Sequence, residues 1–165
     1  VYKMNIEKLE LRKIKVSKFA SEETYCFESD LYFDDQPLAI ISNNGRGGSD
    51  RIEKHPKCNF DFLEKMREID KYFSKLDAEK TTLGDYEFTM QPSLEIWVCD
   101  QISKYLIHKE LKRKLKRKLL LLIDGKVYEQ KFEFEEEEKK RDPDVVILNN
   151  IPEIKALDLY IKHTG

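Results

Sequence analysis

The sequence predicts an α+β fold built on a mostly antiparallel sheet, and three observations carry that reading. Residues 24–33 alternate apolar and polar side chains, and across Asp34, Asp35 and Gln36 they lead into the β-rich run 37–41, the pattern of two strands joined by a tight turn. Residues 119–123 and 126–134 flank Asp124-Gly125, a dipeptide that strongly favours a two-residue hairpin turn. Between these hairpins, apolar residues recur at three- and four-residue steps over 62–76 and 94–106, as they do along the buried stripe of a helix. The expected architecture is a single domain over residues 4–165, with a sheet of five or six strands packed against two core helices, a basic helix and a C-terminal helix.

Composition narrows the function classes. A chain of 165 residues is long enough for one sizeable core, and a hydrophobic share of 40% excludes overall disorder despite 38% charged residues. The 30 basic and 32 acidic side chains leave a formal charge of -2, so attraction to nucleic acid or to a membrane surface must come from a local patch. Cys26, Cys58 and Cys99 are odd in number and far apart, which argues against a disulfide framework and a Cys-x-x-Cys site and for a reducing cytoplasm. No apolar run approaches a bilayer span, 119–123 being the longest, and no signal-peptide core is present, so neither membrane insertion nor export is expected. Met4 is read as the natural start, with Val1, Tyr2 and Lys3 outside the fold.

In chain order, Leu9 and Leu11 occupy odd positions but Ile14 and Val16 even ones, and a bulge near Arg12 and Lys13 restores a single apolar face. Ser21, Glu22 and Glu23 turn the chain into strand 24–33, completing a three-stranded meander that needs a helix layer on one side. Asn59 is the expected N-cap of the first helix, whose stripe is Phe62, Leu63, Met66, Ile69, Phe73 and Leu76. Residues 77–91 are polar, contain Gly84 and read as a long loop with a short edge strand at 86–90. Pro92 and Ser93 open the second helix, with its stripe of Leu94, Trp97, Val98, Ile102, Tyr105 and Leu106. Residues 109–118 carry seven cations and one anion and form a short basic helix anchored by Leu111 and Leu115. Run 119–123 lacks alternation, as a central strand covered on both sides would, and strand 126–134 places Tyr128, Phe132 and Phe134 on one face. The acidic-then-basic run 135–141 is either a mobile connection or a solvated helical turn. A strand at 145–148, Asn149 and Asn150, Pro152 and the helical spacing of Ile154, Ala156, Leu157, Tyr160 and Ile161 lead to Gly165.

Three motifs follow one another across most of the chain: Ser21-Glu22-Glu23-Thr24-x-Cys26-Phe27, Ser42-Asn43-Asn44-Gly45-x-Gly47-Gly48 and Ile147-Leu148-Asn149-Asn150-x-Pro152. Their layout resembles an uncharacterised family of small phage, prophage and bacterial proteins. Where that family often has an acidic residue in place of the second Asn, a His between the glycines and a Cys after them, this chain has Asn44, Arg46 and Ser49. The resemblance implies a cytoplasmic accessory protein of phage or mobile-element origin and brings no activity with it.

The first candidate site is the loop of Asn43, Asn44, Gly45, Arg46, Gly47, Gly48 and Ser49. Its glycines permit left-handed backbone that can turn successive N–H groups toward one anion, with Arg46 adding charge. The spacing matches neither a Walker loop nor a dinucleotide fingerprint, so the ligand is a partner protein or a small anion of open identity. The second candidate is the stripe of Lys109, Lys112, Arg113, Lys116 and Arg117, which share one face of a helix and can track a phosphate backbone, with Tyr105 and Tyr128 as the nearby aromatics. Against it, Glu133 and Glu135 to Glu138 stand across the following hairpin as potential ion-pair partners. A third reading assembles Asp50, Glu53 and His55, with Asp30 or Asp34, into a metal-dependent hydrolase. No catalytic motif, metal frame or cofactor fingerprint is legible, Cys26 and Cys99 read as packed thiols with Cys58 the more reactive, and the leading expectation is a binding module rather than an enzyme.

Overall fold

The computed structural model describes residues 4–164; the readings of Val1, Tyr2 and Lys3 and of a closing Gly165 lie outside them. The class is α+β with every strand pair antiparallel, but the strands fall into sheets of four, two and three instead of one sheet of five or six. The chain packs as two compact units, one ending at Ile102 and the other beginning at Ser103.

In the first unit, β1 (Leu9–Ser17), β2 (Cys26–Phe33), β3 (Gln36–Asn44) and β4 (Arg51–Lys54) form a meander in sequence order. The bulge lies where the apolar parity changes: the register slips between Arg12 and Lys15, Lys13 adopts φ 53°, and the buried Ser29 hydroxyl donates to the Arg12 carbonyl at 2.9 Å. Leu9, Leu11 and Val16 consequently lie opposite the buried Phe33, Leu31 and Phe27. Asp34 and Asp35, both at positive φ, make the β2–β3 turn alone, because Gln36 already pairs with Phe33. Strand β4 went unforeseen since all four of its residues are exposed, leaving no alternation to read.

Helix α1 (Phe62–Ser74) is capped by Asp61, not Asn59: the Asp61 carboxylate accepts the Glu64 N–H at 3.1 Å. The helix buries Ile69 and Phe73 and leaves Leu63 exposed. The Gln91 amide donates to the Phe73 and Leu76 carbonyls at 3.0 and 2.9 Å and so satisfies acceptors at the helix end. The short strand expected at 86–90 is present as β6 (Tyr86–Met90), but the rest of the segment is not a loop: β5 (Glu79–Leu83) pairs with β6 in a hairpin that turns through Gly84 and Asp85. Helix α2 (Leu94–Leu115) starts at Ser93, whose hydroxyl accepts the Ile96 N–H at 3.2 Å, and buries Leu94, Val98 and Ile102. The basic stretch is not a separate helix: neither Gly nor Pro interrupts 94–115, so α2 runs for 22 residues from the first unit into the second. It stops at Leu115, and Lys116 and Arg117 lie in the turn that follows.

In the second unit, β7 (Leu119–Ile123) lies between β8 (Lys126–Gln130) and β9 (Val146–Ile147), the central strand that its apolar run predicts. Asp124 and Gly125 turn with φ 48° and 72°. Strand β8 stops at Gln130, whose side chain accepts the Lys131 N–H at 2.9 Å. Phe132 to Phe134 then form a 3-10 turn into α3 (Glu135–Arg141) and do not extend the face of Tyr128. Helix α4 (Glu153–Thr164) packs Ala156 and Tyr160 against Leu111, Leu120 and Leu148. Among the described residues no helix is long and apolar enough to cross a membrane.

Candidate functional site

The glycine loop begins inside the sheet, since Asn43 and Asn44 belong to β3 and lie opposite Phe27 and Cys26. Asn43 uses its whole side chain. Its Oδ1 accepts from the Thr24 hydroxyl at 2.8 Å and the Gly45 N–H at 2.9 Å, while its Nδ2 donates to the Gly48 carbonyl at 3.1 Å and to Asp50 at 3.0 Å. Gly45 is buried at φ 81°, and its carbonyl accepts the N–H groups of Glu22 and Glu23 at 2.9 Å and of Thr24 at 3.4 Å. The first two sequence motifs are therefore one clasp. The Arg46 N–H is held by Asn44 Oδ1 at 3.1 Å. Beyond it, the N–H groups of Gly47, Gly48 and Ser49 and the Arg46 guanidinium have no protein partner among the described residues.

The electrostatics around this loop are acidic. Glu95 accepts the Asp50 N–H at 2.8 Å, and the Glu23 carboxylate sits so near Gly47 that an added Cβ would lie 2.4 Å from its Oε2. Burial pushes the Asp50 carboxyl above its ordinary range, with Glu95 adding to the shift and the Asn43 hydrogen bond opposing it. A cavity of about 120 Å³ beneath the loop is lined by Tyr25, Phe27, Asp50, Glu95 and Cys99. Cys99 is exposed rather than packed, yet partial burial and the neighbouring Asp100, Asp50 and Glu95 push its thiol up, which makes it a poor nucleophile. The loop leaves the N–H groups of Gly47, Gly48 and Ser49 unpaired among the described residues, with the carboxylates of Glu23, Asp50 and Glu95 beside it.

The acids and His55 do not converge on a metal. His55 is buried, with Nδ1 accepting the Lys57 N–H at 3.0 Å and Nε2 3.7 Å from Asp30, which also pairs with Lys13 at 3.1 Å. Asp34 pairs with Lys8, Glu53 with Arg51, and Asp50 belongs to the loop. Among the described residues no group of three or more His, Cys, Asp or Glu side chains is placed to hold a metal ion.

The cationic end of α2 is arranged differently. Lys112 pairs with Glu153 at 3.2 Å, and His108 binds the same carboxylate, which the two together hold below its ordinary range. Lys114 and Lys118 share Glu129 at 2.8 and 2.5 Å, which lowers the Glu129 carboxyl to about 2. Of the acidic residues expected to neutralise the stripe, Glu135 and Glu136 pair with Lys139, Glu138 is buried against Arg141 and Gln130, and Glu133 faces Lys131, while Glu137 is exposed with no cationic partner among the described residues. Lys109, Arg113, Lys116 and Arg117 are thus exposed with no acidic partner among the described residues. Tyr128 is half exposed and Tyr105 partly buried.

Sequence reasoning missed the residue that shapes this end. The Asn149 amide donates to the Leu115 and Lys118 carbonyls at 3.0 and 2.9 Å and accepts the Leu120 N–H at 2.8 Å, closing α2 and starting β7. The Asn149-Asn150 pair was visible, but nothing local says that it reaches back some 30 residues. Comparison of the chain with protein-family models, curated proteins and solved structures finds no match.

Proposed function

We propose that the protein is a binding module that engages a polyanion, of the nucleic-acid class, through the C-terminal end of α2 and the turn behind it. One observation carries the reading: Lys109, Arg113, Lys116 and Arg117 have no acidic partner among the described residues, while four of the five acidic side chains at 133 and 135–138 pair with other cations. The second unit as a whole supports it, with 15 Lys and Arg against 12 Asp and Glu in a chain whose total is negative. The test is fluorescence anisotropy with labelled single- and double-stranded oligonucleotides. Charge reversal at the four free cations is expected to weaken binding by at least about a hundredfold at low salt. Lys112→Glu, which removes a cation already committed to Glu153, is expected to matter less than Arg113→Glu. Unchanged affinity in the four-site variant ends the proposal.

The loop supports a second reading, contact with a partner protein. Arg46, Gly48 and Ser49 stand at the surface on a loop fixed from below by Asn43 and Gly45, with main-chain donors unspent. Glu23, Asp50 and Glu95 weigh against a small anion there. Thermal stabilisation by inorganic phosphate that Arg46→Ala abolishes would restore the anion. The same proposal places the protein in the cytoplasm, which its three free thiols support, and assigns it a phage or mobile-element source, which the motif layout supports.

A further inference from the structure

Hairpin β5–β6 pairs with no other strand among the described residues, and its two faces differ. The register sets Glu79 opposite Met90, Thr81 opposite Phe88 and Leu83 opposite Tyr86, so these six share one face while Lys80, Thr82, Glu87 and Thr89 share the other. Leu83, Tyr86, Phe88 and Met90, exposed by 74%, 80%, 44% and 39%, make a bare apolar strip on that face. The strip continues past the hairpin. Glu79 and Met90 line a cavity of about 480 Å³ together with Tyr72 of α1, Leu76 just beyond that helix, and Ile96 and Trp97 of α2. Every charged side chain lining the cavity is acidic: Asp77, Glu79 and Asp100 have no basic partner at ion-pair distance among the described residues. Covering these carboxylates with an uncharged apolar ligand would desolvate them without compensation, whereas a ligand that brings cations replaces the lost water.

We propose that the strip and cleft are a docking site for a partner polypeptide segment that is both apolar and cationic. Its apolar side chains fill the cleft beside Trp97 and Leu76, and its Lys or Arg residues meet Asp77, Glu79 and Asp100. The open edges of β5 and β6 offer unpaired main-chain groups along which such a segment can lie as an added strand. This surface belongs to the first unit and stands independently of the polyanion reading.

Trp97 is the only tryptophan in the sequence, so its emission reports on the cleft. The full chain is titrated with a short peptide alternating Leu and Lys, and separately with one alternating Leu and Glu. A saturable change in Trp97 emission is expected with the Leu–Lys peptide alone, weakened about tenfold or more by Asp77→Asn with Asp100→Asn and by Phe88→Ser. Glu79→Gln is a surface variant that serves the same purpose if either of these fails to give a native far-ultraviolet spectrum. Silence toward the Leu–Lys peptide, an equal response to the Leu–Glu peptide, or undiminished affinity in the acid-to-amide variants overturns the proposal. So does an emission change on concentrating the protein alone with a doubled sedimenting mass, which makes a second copy the occupant.

Discussion

At the scale of single residues, Asn43 shows how a side chain from a glycine-rich motif can matter without touching a ligand. Its four hydrogen bonds join the turn before β2, β3 and the loop, so Asn43→Ala strands several partly buried partners and is expected to cost about 1–3 kcal/mol, read as a lowered Tm. The glycines divide along the same line. A Cβ at Gly45 would sit 2.1 Å from the Ala20 carbonyl oxygen at φ 81°, so Gly45→Ala must displace backbone and is expected to lose more than about 2 kcal/mol. Gly48 has open space around it and only its φ of 98° to answer for, so Gly48→Ala is expected to cost about 1–2 kcal/mol. A raised carboxyl favours folding fully below its unfolded pKa and loses that contribution as pH rises through the shifted value, so ionised Asp50 opposes folding at neutral pH. Asp50→Asn keeps an acceptor for Asn43 and removes the repulsion with Glu95; a Tm at pH 7 equal to or above that of the parent is the expected result.

At the scale of elements, the end of α2 is held by charge as well as by Asn149. Glu129 has its carboxyl lowered to about 2 by Lys114 and Lys118, so its contribution is complete above the ordinary carboxylate pKa and fades as pH falls toward 2. The group is solvent-accessible, which limits the contribution to about 1 kcal/mol. Acid unfolding of Glu129→Gln, followed by circular dichroism between about pH 4.5 and 2, is expected to show a shallower loss of stability than the parent in that window. Elements with a strong period were legible in the sequence: β2, the core stripes of α1 and α2, and the Asp124-Gly125 hairpin. The parity change at Leu11 and Ile14 even located the bulge. Strands β4 and β5 were not legible, because their residues are exposed or polar on both sides and give no alternation. The close of α2 depends on Asn149, whose partners are tertiary and leave no local signal, and the end of β8 falls where the Gln130 side chain takes the N–H of Lys131 and donates to Glu138, contacts that no apolar period announces. The two candidate segments could be found from glycine and cation density, but which acids stand beside the loop and which leave the cations free could not.

At the scale of the molecule, a formal charge of -2 conceals a division. The first unit carries 15 Lys and Arg against 20 Asp and Glu, the second 15 against 12, so an acidic cleft and a cationic face coexist in a nearly neutral chain. Under the two proposals each unit meets a partner of opposite charge, and the ionic-strength dependence of polyanion binding is the measurement of choice. Oligonucleotide affinity should be followed across a salt series for the parent and for the chain with Lys109→Glu, Arg113→Glu, Lys116→Glu and Arg117→Glu together. Four phosphate contacts predict a slope of about -3 to -4 in log affinity against log salt for duplex DNA, collapsing toward zero in the variant. A parent chain whose affinity ignores salt, or a variant that binds as tightly as the parent, would contradict the account.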